Sequence, residues 1–155
     1  MEMMRLEQEV AVASVGDVDA EVIARTRYQG FDNRQIEETA IWVDDACEWL
    51  DVPTGTVLHG PSGYLRFDYG WIRAFPDARW QVNSMVASAD LIATEFIASG
   101  THLGSLGVAG GHTIDATGKR VELRCLEVLQ IHGAQIVRAR SYYDSLSLLR
   151  QLGVI

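Results

Sequence analysis

The fold is decided by the stretch ATGKRVELRCLEVLQIHGAQIVRARSYYDSLSLLRQLG, residues 116–153. Two apolar runs, 121–131 and 135–143, are separated by His132, Gly133 and Ala134. This arrangement predicts an antiparallel hairpin. A short helical pattern follows Asp144, which has the chemistry of a helix N-cap. We therefore expect a long hairpin capped by a C-terminal helix, with the upstream chain folded around the hairpin so that a pocket remains.

Upstream of the hairpin, the chain alternates between helical and extended patterns. Helices are predicted at residues 17–33, at 33–41, and from Pro61 to Phe75, where Pro76 ends the helix. Strands are predicted at 44–52, 80–87 and 91–101, and residues 104–117 form a long loop with four glycines, of the kind that is often functional or mobile. This order predicts an α+β fold with helices on one face of a curved, mostly antiparallel sheet. Residues 1–16 are predicted as an N-terminal arm, and 17–155 as a single domain.

The composition restricts the class of protein. Of 155 residues, 48% are hydrophobic and 22% are charged, as in ordinary globular proteins. The net charge of −8 argues against binding to nucleic acids, which requires a basic face, and against docking on anionic lipid. The N-terminus lacks the basic residues of a signal peptide, and no apolar run is long enough to span a membrane. Cys47 and Cys125 lie in apolar strand-like runs, and they predict reduced core thiols in a cytoplasmic protein.

Two acidic side chains interrupt faces that are otherwise apolar. Every second residue of the run 121–131 is apolar except Glu127, so Glu127 is expected to face the core or a pocket. Asp68 lies four residues after Tyr64 on the apolar stripe of a predicted helix. A carboxylate in such a place is costly unless it is paired or solvated. Each acid is therefore either a proton-transfer group or one half of an ion pair. The candidate partners are a neighbouring arginine at the pocket rim for Asp68, and for Glu127 they are Arg124, Arg138 and Arg140.

A further set of residues is assigned to a small-molecule site. His102 lies near glycines at a strand end, where its imidazole could polarise a ligand oxygen or only form hydrogen bonds within the loop. As catalytic groups, Asp68 and Glu127 are expected to face each other across an apolar cavity. No spacing of histidines and acids indicates a metal site. The predicted ligand contacts are Tyr28, Tyr64, Trp71, Ser141 and Tyr143.

Five short motifs carry a resemblance to a known family: AFPD at 74–77, GTHLG at 100–104, ATGK at 116–119, YYD at 142–144 and LRQLG at 149–153. In this order and spacing they resemble the SnoaL-like polyketide cyclases of the nuclear-transport-factor-2-like superfamily, over about residues 19–153. The resemblance implies a cone-shaped α+β fold with a deep pocket between sheet and helices. It also implies cofactor-free chemistry on a small, often aromatic ligand, and a dimer or tetramer. The expected partner surface is the outward face formed by Arg138, Arg140 and Tyr142.

The chain departs from this family at the residues that carry its chemistry. The acid–base aspartate of the aromatic-polyketide cyclases corresponds to Ser141, and their pocket histidine corresponds to Glu127. The Asp-Arg-Asp set of the related limonene-type epoxide hydrolases falls at Ser141 and near Phe96 and Ala98. Three hypotheses therefore remain. The first is an acid–base enzyme for cyclisation, isomerisation or dehydration of a polyketide-like or polycyclic substrate. The others are a non-catalytic small-molecule binding protein and an epoxide hydrolase with a rebuilt acid set.

Overall fold

The computed structural model describes residues 19–155, so the predicted N-terminal arm, residues 1–16, lies outside the described part of the chain. The described residues form helices and strands, together with two short 3₁₀ helices at Ala40–Trp42 and Ala109–Gly111. In chain order the elements are α1 (Ala20–Asp32), α2 (Ile36–Thr39), β1 (Val43–Asp51), β2 (Thr56–His59), α3 (Gly60–Ala74), β3 (Arg79–Ser88), β4 (Leu91–Thr101), β5 (Leu106–Gly107), β6 (Thr113–Ile114), β7 (Arg120–His132), β8 (Gln135–Tyr143) and α4 (Ser145–Leu152).

Six strands form the main sheet in the order β2-β1-β8-β7-β4-β3. The predicted hairpin is confirmed: β7 and β8 pair antiparallel from Cys125 opposite Tyr143 to His132 opposite Gln135. The other neighbours are also antiparallel, except that β1 runs parallel to β8. The predicted α+β fold with a mostly antiparallel sheet is therefore confirmed, and the hairpin lies at its centre.

The local predictions differ from the structure in three places. The loop predicted at 104–117 contains β5 and β6, which pair as a short two-stranded sheet. The helix predicted at 33–41 is shorter, because Arg34 adopts a left-handed conformation (φ 59°) that separates α1 from α2. The strand β2 was not predicted, so two strands rather than one precede α3. This strand has four residues at the edge of the sheet, and most of them are exposed, so it shows none of the alternation that reveals a half-buried strand.

The core lies between the inner face of the sheet and the helices α1 and α3. The alternation in β7 is as predicted, because Val121, Leu123, Glu127, Leu129 and Ile131 are all buried. From α1, Ile23 and Phe31 are buried, and the Phe31 ring stacks on Trp80 with 3.5 Å between ring centroids. Helix α3 packs mainly on β1. Helix α1 packs on β3, β4 and β7, so it covers part of the inner face of β7, where Glu127 is 1% exposed.

The final helix is fixed at both ends. The Asp144 carboxylate accepts a hydrogen bond from the Ser147 backbone N–H at 2.9 Å, which confirms Asp144 as the N-cap. At the other end, Gly153 takes a left-handed conformation with φ 73° that side-chain-bearing residues rarely adopt. The helix packs on β7 and so covers the end of the hairpin.

Candidate functional site

Arg27 on α1 brings the two predicted acids together. Its guanidinium donates Nη1 to Asp68 Oδ2 at 2.9 Å and Nη2 to Asp68 Oδ1 at 3.1 Å. It also donates Nε to Glu127 Oε1 at 2.6 Å and Nη2 to Glu127 Oε2 at 3.1 Å. All three side chains are at most 1% exposed. Asp68 and Glu127 thus lie close together inside the protein, but an arginine fills the space that was expected to be a cavity.

The remaining partners of Glu127 complete its hydrogen bonding. The Tyr28 hydroxyl donates to Oε1 at 3.1 Å, and the Ser141 hydroxyl donates to Oε2 at 3.0 Å. The Trp49 indole N–H in turn donates to Ser141 Oγ at 3.2 Å. A carboxylate offers about four acceptor positions, so Glu127 is saturated in this arrangement. A ligand can reach its oxygens only by displacing one of these donors.

Aromatic rings surround the guanidinium of Arg27. Its central carbon lies 4.5 Å from the ring centroid of Trp49, 4.9 Å from that of Tyr64 and 5.0 Å from that of Trp80. At these distances the ring quadrupoles attract a cation. The rings replace part of the hydration that Arg27 loses on burial. We call Arg27, Asp68 and Glu127 the buried ion cluster.

The charges of the buried ion cluster do not balance. Burial alone would lower the pKa of Arg27, but the carboxylates of Asp68 and Glu127 outweigh this effect and hold its pKa well above the ordinary value. Burial raises the pKa of Asp68, and the positive charge of Arg27 opposes that rise only in part. One cation faces two carboxyl groups, so full ionisation leaves one excess negative charge in a dry site. The cluster therefore favours uptake of a proton at Asp68.

An apolar cavity of about 50 Å³ borders the cluster. Aromatic and aliphatic side chains form most of its wall, and Glu127 and Ser141 are among its few polar members. Arg27 and Asp68 do not line it. The cluster thus reaches the cavity through Glu127. The principal apolar side chains of the wall are Phe67, Trp71, Phe75, Trp80, Phe96, Leu123 and Tyr143.

A larger groove of about 370 Å³ adjoins this cavity and shares Phe67, Trp71 and Tyr143 with it. The rings of Trp71 and Tyr143 meet edge-on, with 5.2 Å between their centroids. The groove is more polar than the cavity because Asp51 and Arg73 line it. Residues 105–108 and Thr113, from the loop predicted at 104–117, form another part of its wall. These aromatic side chains therefore separate an inner apolar space from an outer polar one.

Four of the predicted site residues line the cavity: Trp71, Glu127, Ser141 and Tyr143. Tyr28 and Tyr64 do not line it. The Tyr64 hydroxyl is 2.6 Å from Thr39 Oγ1, and burial raises its pKa to about 12. The hydroxyl groups of these two tyrosines form hydrogen bonds within the core, and their contacts with a ligand stay a prediction.

His102 also lies away from the cavity. Strand β4 continues past the cavity, and at its end the His102 ring packs against Phe75 with 5.2 Å between ring centroids. Its Nδ1 accepts the Thr117 backbone N–H at 3.2 Å, so His102 forms hydrogen bonds within the loop. Burial lowers the pKa of His102. The second alternative from the sequence, a histidine that stabilises the loop, is the one that this geometry favours.

The arginine that pairs with the two acids was not among the predicted partners. Arg124, Arg138 and Arg140 alternate with inward-facing residues and lie on the outer face of the sheet. Arg27 was missed, although its position carries a signal. It lies four residues after Ile23 and four before Phe31, both buried, so it belongs to the apolar stripe of α1. Asp68 was selected because it is a charged residue on an apolar helix face. The same criterion selects Arg27.

The two cysteines are free thiols, as predicted. Cys47 is buried, and Cys125 lies at the cavity wall, where burial raises its pKa to about 12. A thiol with so high a pKa is a poor nucleophile. Within residues 19–155, no three His, Cys, Asp or Glu side chains are grouped so as to hold a metal ion. No helix in this range combines the length and hydrophobicity required to cross a membrane.

A comparison with models of known protein families identifies the family of this chain. A family model described as SnoaL-like polyketide cyclase matches residues 22–152. The chain belongs to the SnoaL-like polyketide cyclase family. A comparison of this SnoaL-like chain with curated protein sequences gives no match.

Solved structures similar to this SnoaL-like protein share its fold at low sequence identity. IdmH of Streptomyces antibioticus, described as a putative polyketide cyclase, has a TM-score of 0.72 and 23% identity, covering 88% of this chain and 99% of its own. AclR of Streptomyces galilaeus, described as a putative hydroxylase, has a TM-score of 0.71 and 18% identity, covering 88% and 96%. A Catenulispora acidiphila protein with a ketosteroid isomerase-like fold has a TM-score of 0.70 and 13% identity, covering 84% and 92%. The resemblance and the fold class that were predicted from the sequence are confirmed, and the family supports a small-molecule, enzyme-like role.

Proposed function

We propose that this SnoaL-like protein is a cofactor-independent acid–base enzyme in which Glu127 transfers a proton on a small carbonyl compound. The outcome is cyclisation, isomerisation or dehydration of an aromatic or polycyclic substrate. The observation that carries the proposal is a carboxylate held rigidly at the wall of an apolar cavity. Positioned carboxylates of this kind accelerate proton transfer by about 10²- to 10⁴-fold.

Ser141 gives Glu127 a way to act although its oxygens are saturated. When the Ser141 hydroxyl rotates away from Oε2 toward a bound carbonyl oxygen, it frees that carboxylate oxygen and stabilises the negative charge that forms on the ligand. Glu127 then takes the proton from the carbon next to the carbonyl, and the C–H electrons form the enolate. The Trp49 indole N–H, which donates to Ser141 Oγ, strengthens Ser141 as a donor. Return of the proton to another carbon completes an isomerisation.

Arg27 and Asp68 have a supporting role in this proposal. Arg27 fixes the orientation of the Glu127 carboxylate through two hydrogen bonds. Asp68 fixes the orientation of Arg27 from the opposite side through two further hydrogen bonds. Because neither residue lines the cavity, Asp68 acts as a positioning residue rather than as the base.

The size of the two spaces restricts how a ligand binds. The cavity volume of about 50 Å³ is close to that of one or two water molecules, at about 30 Å³ each. A bicyclic ligand therefore occupies part of the groove of about 370 Å³ as well. To do so it displaces the aromatic side chains that the cavity and the groove share. Their rearrangement is part of ligand binding in this proposal.

The test is hydrogen–deuterium exchange at the carbon next to the carbonyl of 2-tetralone, followed by NMR in D₂O. The wild-type protein is expected to accelerate the exchange, and Glu127→Gln is expected to reduce this acceleration by about 10²-fold or more. Glu122→Gln is the matched control, because Glu122 lies on the same strand but on the exposed face. Exchange at the wild-type rate in Glu127→Gln would rule out Glu127 as the proton-transfer group. A protein that binds the ketone without accelerating exchange would be a binding protein instead.

The buried ion cluster favours one further candidate function, the opening of an epoxide by water. Its carboxylate–guanidinium–carboxylate arrangement has the same chemical groups as the set that the sequence resemblance attributes to limonene-type epoxide hydrolases. Here those groups come from α1, α3 and β7. Incorporation of ¹⁸O from labelled water into the diol formed from cyclohexene oxide supports this candidate. Without such incorporation it is discarded.

We also propose that the protein forms a homodimer through the outer face of the sheet, where Arg138, Arg140 and Tyr142 alternate with inward-facing residues of β8. Leu126 and Tyr142 are exposed there, 36% and 37% respectively. They lie opposite each other in the β7–β8 pair and form an apolar patch. Burial of such a patch between two identical faces would give a closed two-fold interface.

A further inference from the structure

Asp51, the last residue of β1, has a buried carboxylate oxygen that accepts no hydrogen bond from the described residues. Its Oδ2 accepts the Thr54 hydroxyl at 2.8 Å and the Tyr143 hydroxyl at 3.2 Å. Its Oδ1 is also buried but has no hydrogen-bond partner within residues 19–155. Buried acceptors without a donor are rare in native proteins, and each one calls for an explanation.

The structural role of Asp51 accounts for only one of its oxygens. The turn after β1 is held by the bond from Gly55 N–H to the Asp51 carbonyl at 2.8 Å and by the bond from the Thr54 hydroxyl to Oδ2. Neither of these contacts involves Oδ1. The carboxylate lines the polar groove, on the side where Tyr143 separates the groove from the inner cavity. Asp51 therefore lines a ligand-sized space and carries an acceptor, Oδ1, that is shielded from solvent and has no donor within residues 19–155. A ligand hydroxyl reaches Oδ1 only after a rotation of this carboxylate or of a neighbouring side chain.

We infer that Asp51 Oδ1 binds a hydroxyl group of an aromatic ligand that extends from the groove into the cavity. The hydroxyl donates to Oδ1, and the ring packs against Trp71 and Tyr143. Arg73 lines the same groove and repels a cation, so a neutral hydroxyl fits better than an ammonium group. The substrate class that follows is a hydroxylated aromatic carbonyl compound, with its carbonyl end toward Glu127 and its hydroxyl end at Asp51.

The surroundings of Asp51 agree with a binding role. Burial raises the pKa of Asp51, and the hydrogen bonds from Thr54 and Tyr143 offset this only in part. A hydrogen bond from a ligand to a carboxylate in such a partly dry site is stronger than the same bond in water. This inference rests on the proposed binding of a small molecule, but it does not depend on which residue transfers the proton.

The test is a fluorescence titration at pH 7.5 with 2-naphthol and with 2-methoxynaphthalene, which has the same rings but no hydroxyl donor. The wild-type protein is expected to bind 2-naphthol about 10- to 100-fold more tightly, the worth of one hydrogen bond to a charged group. Asp51→Asn is expected to remove this preference and to leave binding of 2-methoxynaphthalene unchanged, which also shows that the variant is folded. Asp45→Asn, an exposed position on the same strand, is the matched control and is expected to keep the preference.

Two results would overturn the inference. The first is wild-type protein that does not prefer 2-naphthol, including protein that binds neither compound. The second is a preference that persists in Asp51→Asn. If that preference disappears in Glu127→Gln, the hydroxyl lies at the inner end of the cavity instead. An inactive exchange assay combined with an intact Asp51→Asn effect would contradict the proposed proton transfer and leave the Asp51 site standing.

Discussion

At the scale of single residues, Arg27 is the side chain on which the interior depends most. It is 1% exposed and is the only group that neutralises Asp68 and Glu127 within the described hydrogen bonds and ion pairs. Removing one partner of a buried ion pair leaves an uncompensated charge, which is far more costly than the net contribution of the pair. Lysine cannot replace it, because an ammonium group lacks the planar fork that binds two carboxylates at once.

Arg27→Met is therefore expected to lower the free energy of unfolding at pH 7 by about 3–5 kcal/mol. The loss is expected to shrink as the pH falls toward 4, because burial raises the pKa of Asp68 and its carboxyl group then becomes neutral by taking up a proton. Urea denaturation at several pH values measures both effects. Arg25→Met is the control, since the ion pair that Arg25 forms within residues 19–155 is the exposed one with Glu21, and this variant is expected to cost about 1 kcal/mol or less. A loss for Arg27→Met as small as that of the control would contradict this role.

His102 gives a prediction about pH. Burial places its folded-state pKa below the ordinary value of 6.5, so the unfolded chain takes up a proton at this residue at a higher pH than the folded protein does. The stabilisation from neutral His102 is complete above about pH 6.5 and is lost as the pH falls through the folded-state pKa. Relative to His102→Gln, the wild-type protein is expected to lose unfolding free energy as the pH decreases from 7 to 5. A difference between the two proteins that is independent of pH would contradict the assignment.

At the scale of elements, the end of α3 and the end of β4 are joined by backbone contacts that leave no room for a side chain. The Leu103 and Gly104 N–H groups both donate to the Ala74 carbonyl, at 3.0 and 3.1 Å. A Cβ atom on Gly104 would lie 2.0 Å from the Arg73 carbonyl oxygen. Gly104 is therefore required by the packing between these two elements. This explains the second glycine of the GTHLG motif.

Gly104→Ala is expected to destabilise the protein by about 1–3 kcal/mol, because the end of α3 must move. Gly70→Ala is the matched control: a Cβ atom at Gly70 meets nothing within 4 Å, and alanine favours a helix. That variant is expected to be stabilised by about 0.5–1 kcal/mol. Thermal unfolding of the two variants measures both changes. The account of this contact would be contradicted if Gly104→Ala were as stable as the wild type.

The elements that could be predicted from the sequence are those with a local signal. The hairpin of β7 and β8 could be predicted because apolar residues alternate with other residues over most of β7. The end of α3 could be predicted because Pro76 ends the helix. Strand β2 has four mostly exposed residues at the sheet edge, so it carries no such signal. The parallel pairing of β1 with β8 depends on contacts between residues about 90 positions apart, such as Trp49 and Ala139, which no local pattern records.

The site was predictable only in part for the same physical reason. Alternation placed Glu127 on the inner face, and helical spacing placed Asp68 on a buried stripe. Their shared partner Arg27 is 100 residues from Glu127 and 41 from Asp68, so the pairing depends on how α1 packs across the sheet. The free oxygen of Asp51 depends on the geometry of one turn and one groove. Such details are set by tertiary packing rather than by sequence periodicity.

At the scale of the whole molecule, the proposed dimer makes the outer face of the sheet an interface. Sedimentation velocity at micromolar concentration is expected to show a dimer of the wild-type protein. Leu126→Asp is expected to shift it to a monomer, because it places a charge in the centre of the apolar patch. Leu146→Asp, an exposed leucine on α4, is the control and is expected to remain dimeric. A wild-type protein that is monomeric at these concentrations would contradict the proposal.

The proposed function depends on the buried ion cluster presenting Glu127 to a ligand in the apolar cavity. This arrangement can be seen in a crystal structure of the protein soaked with 2-tetralone. The carbon next to the carbonyl is expected within about 3.5 Å of Glu127 Oε2, the distance of a reactive contact, with the ketone oxygen at hydrogen-bonding distance from Ser141. An ordered ketone that contacts neither Glu127 nor Ser141 would contradict the proposed function.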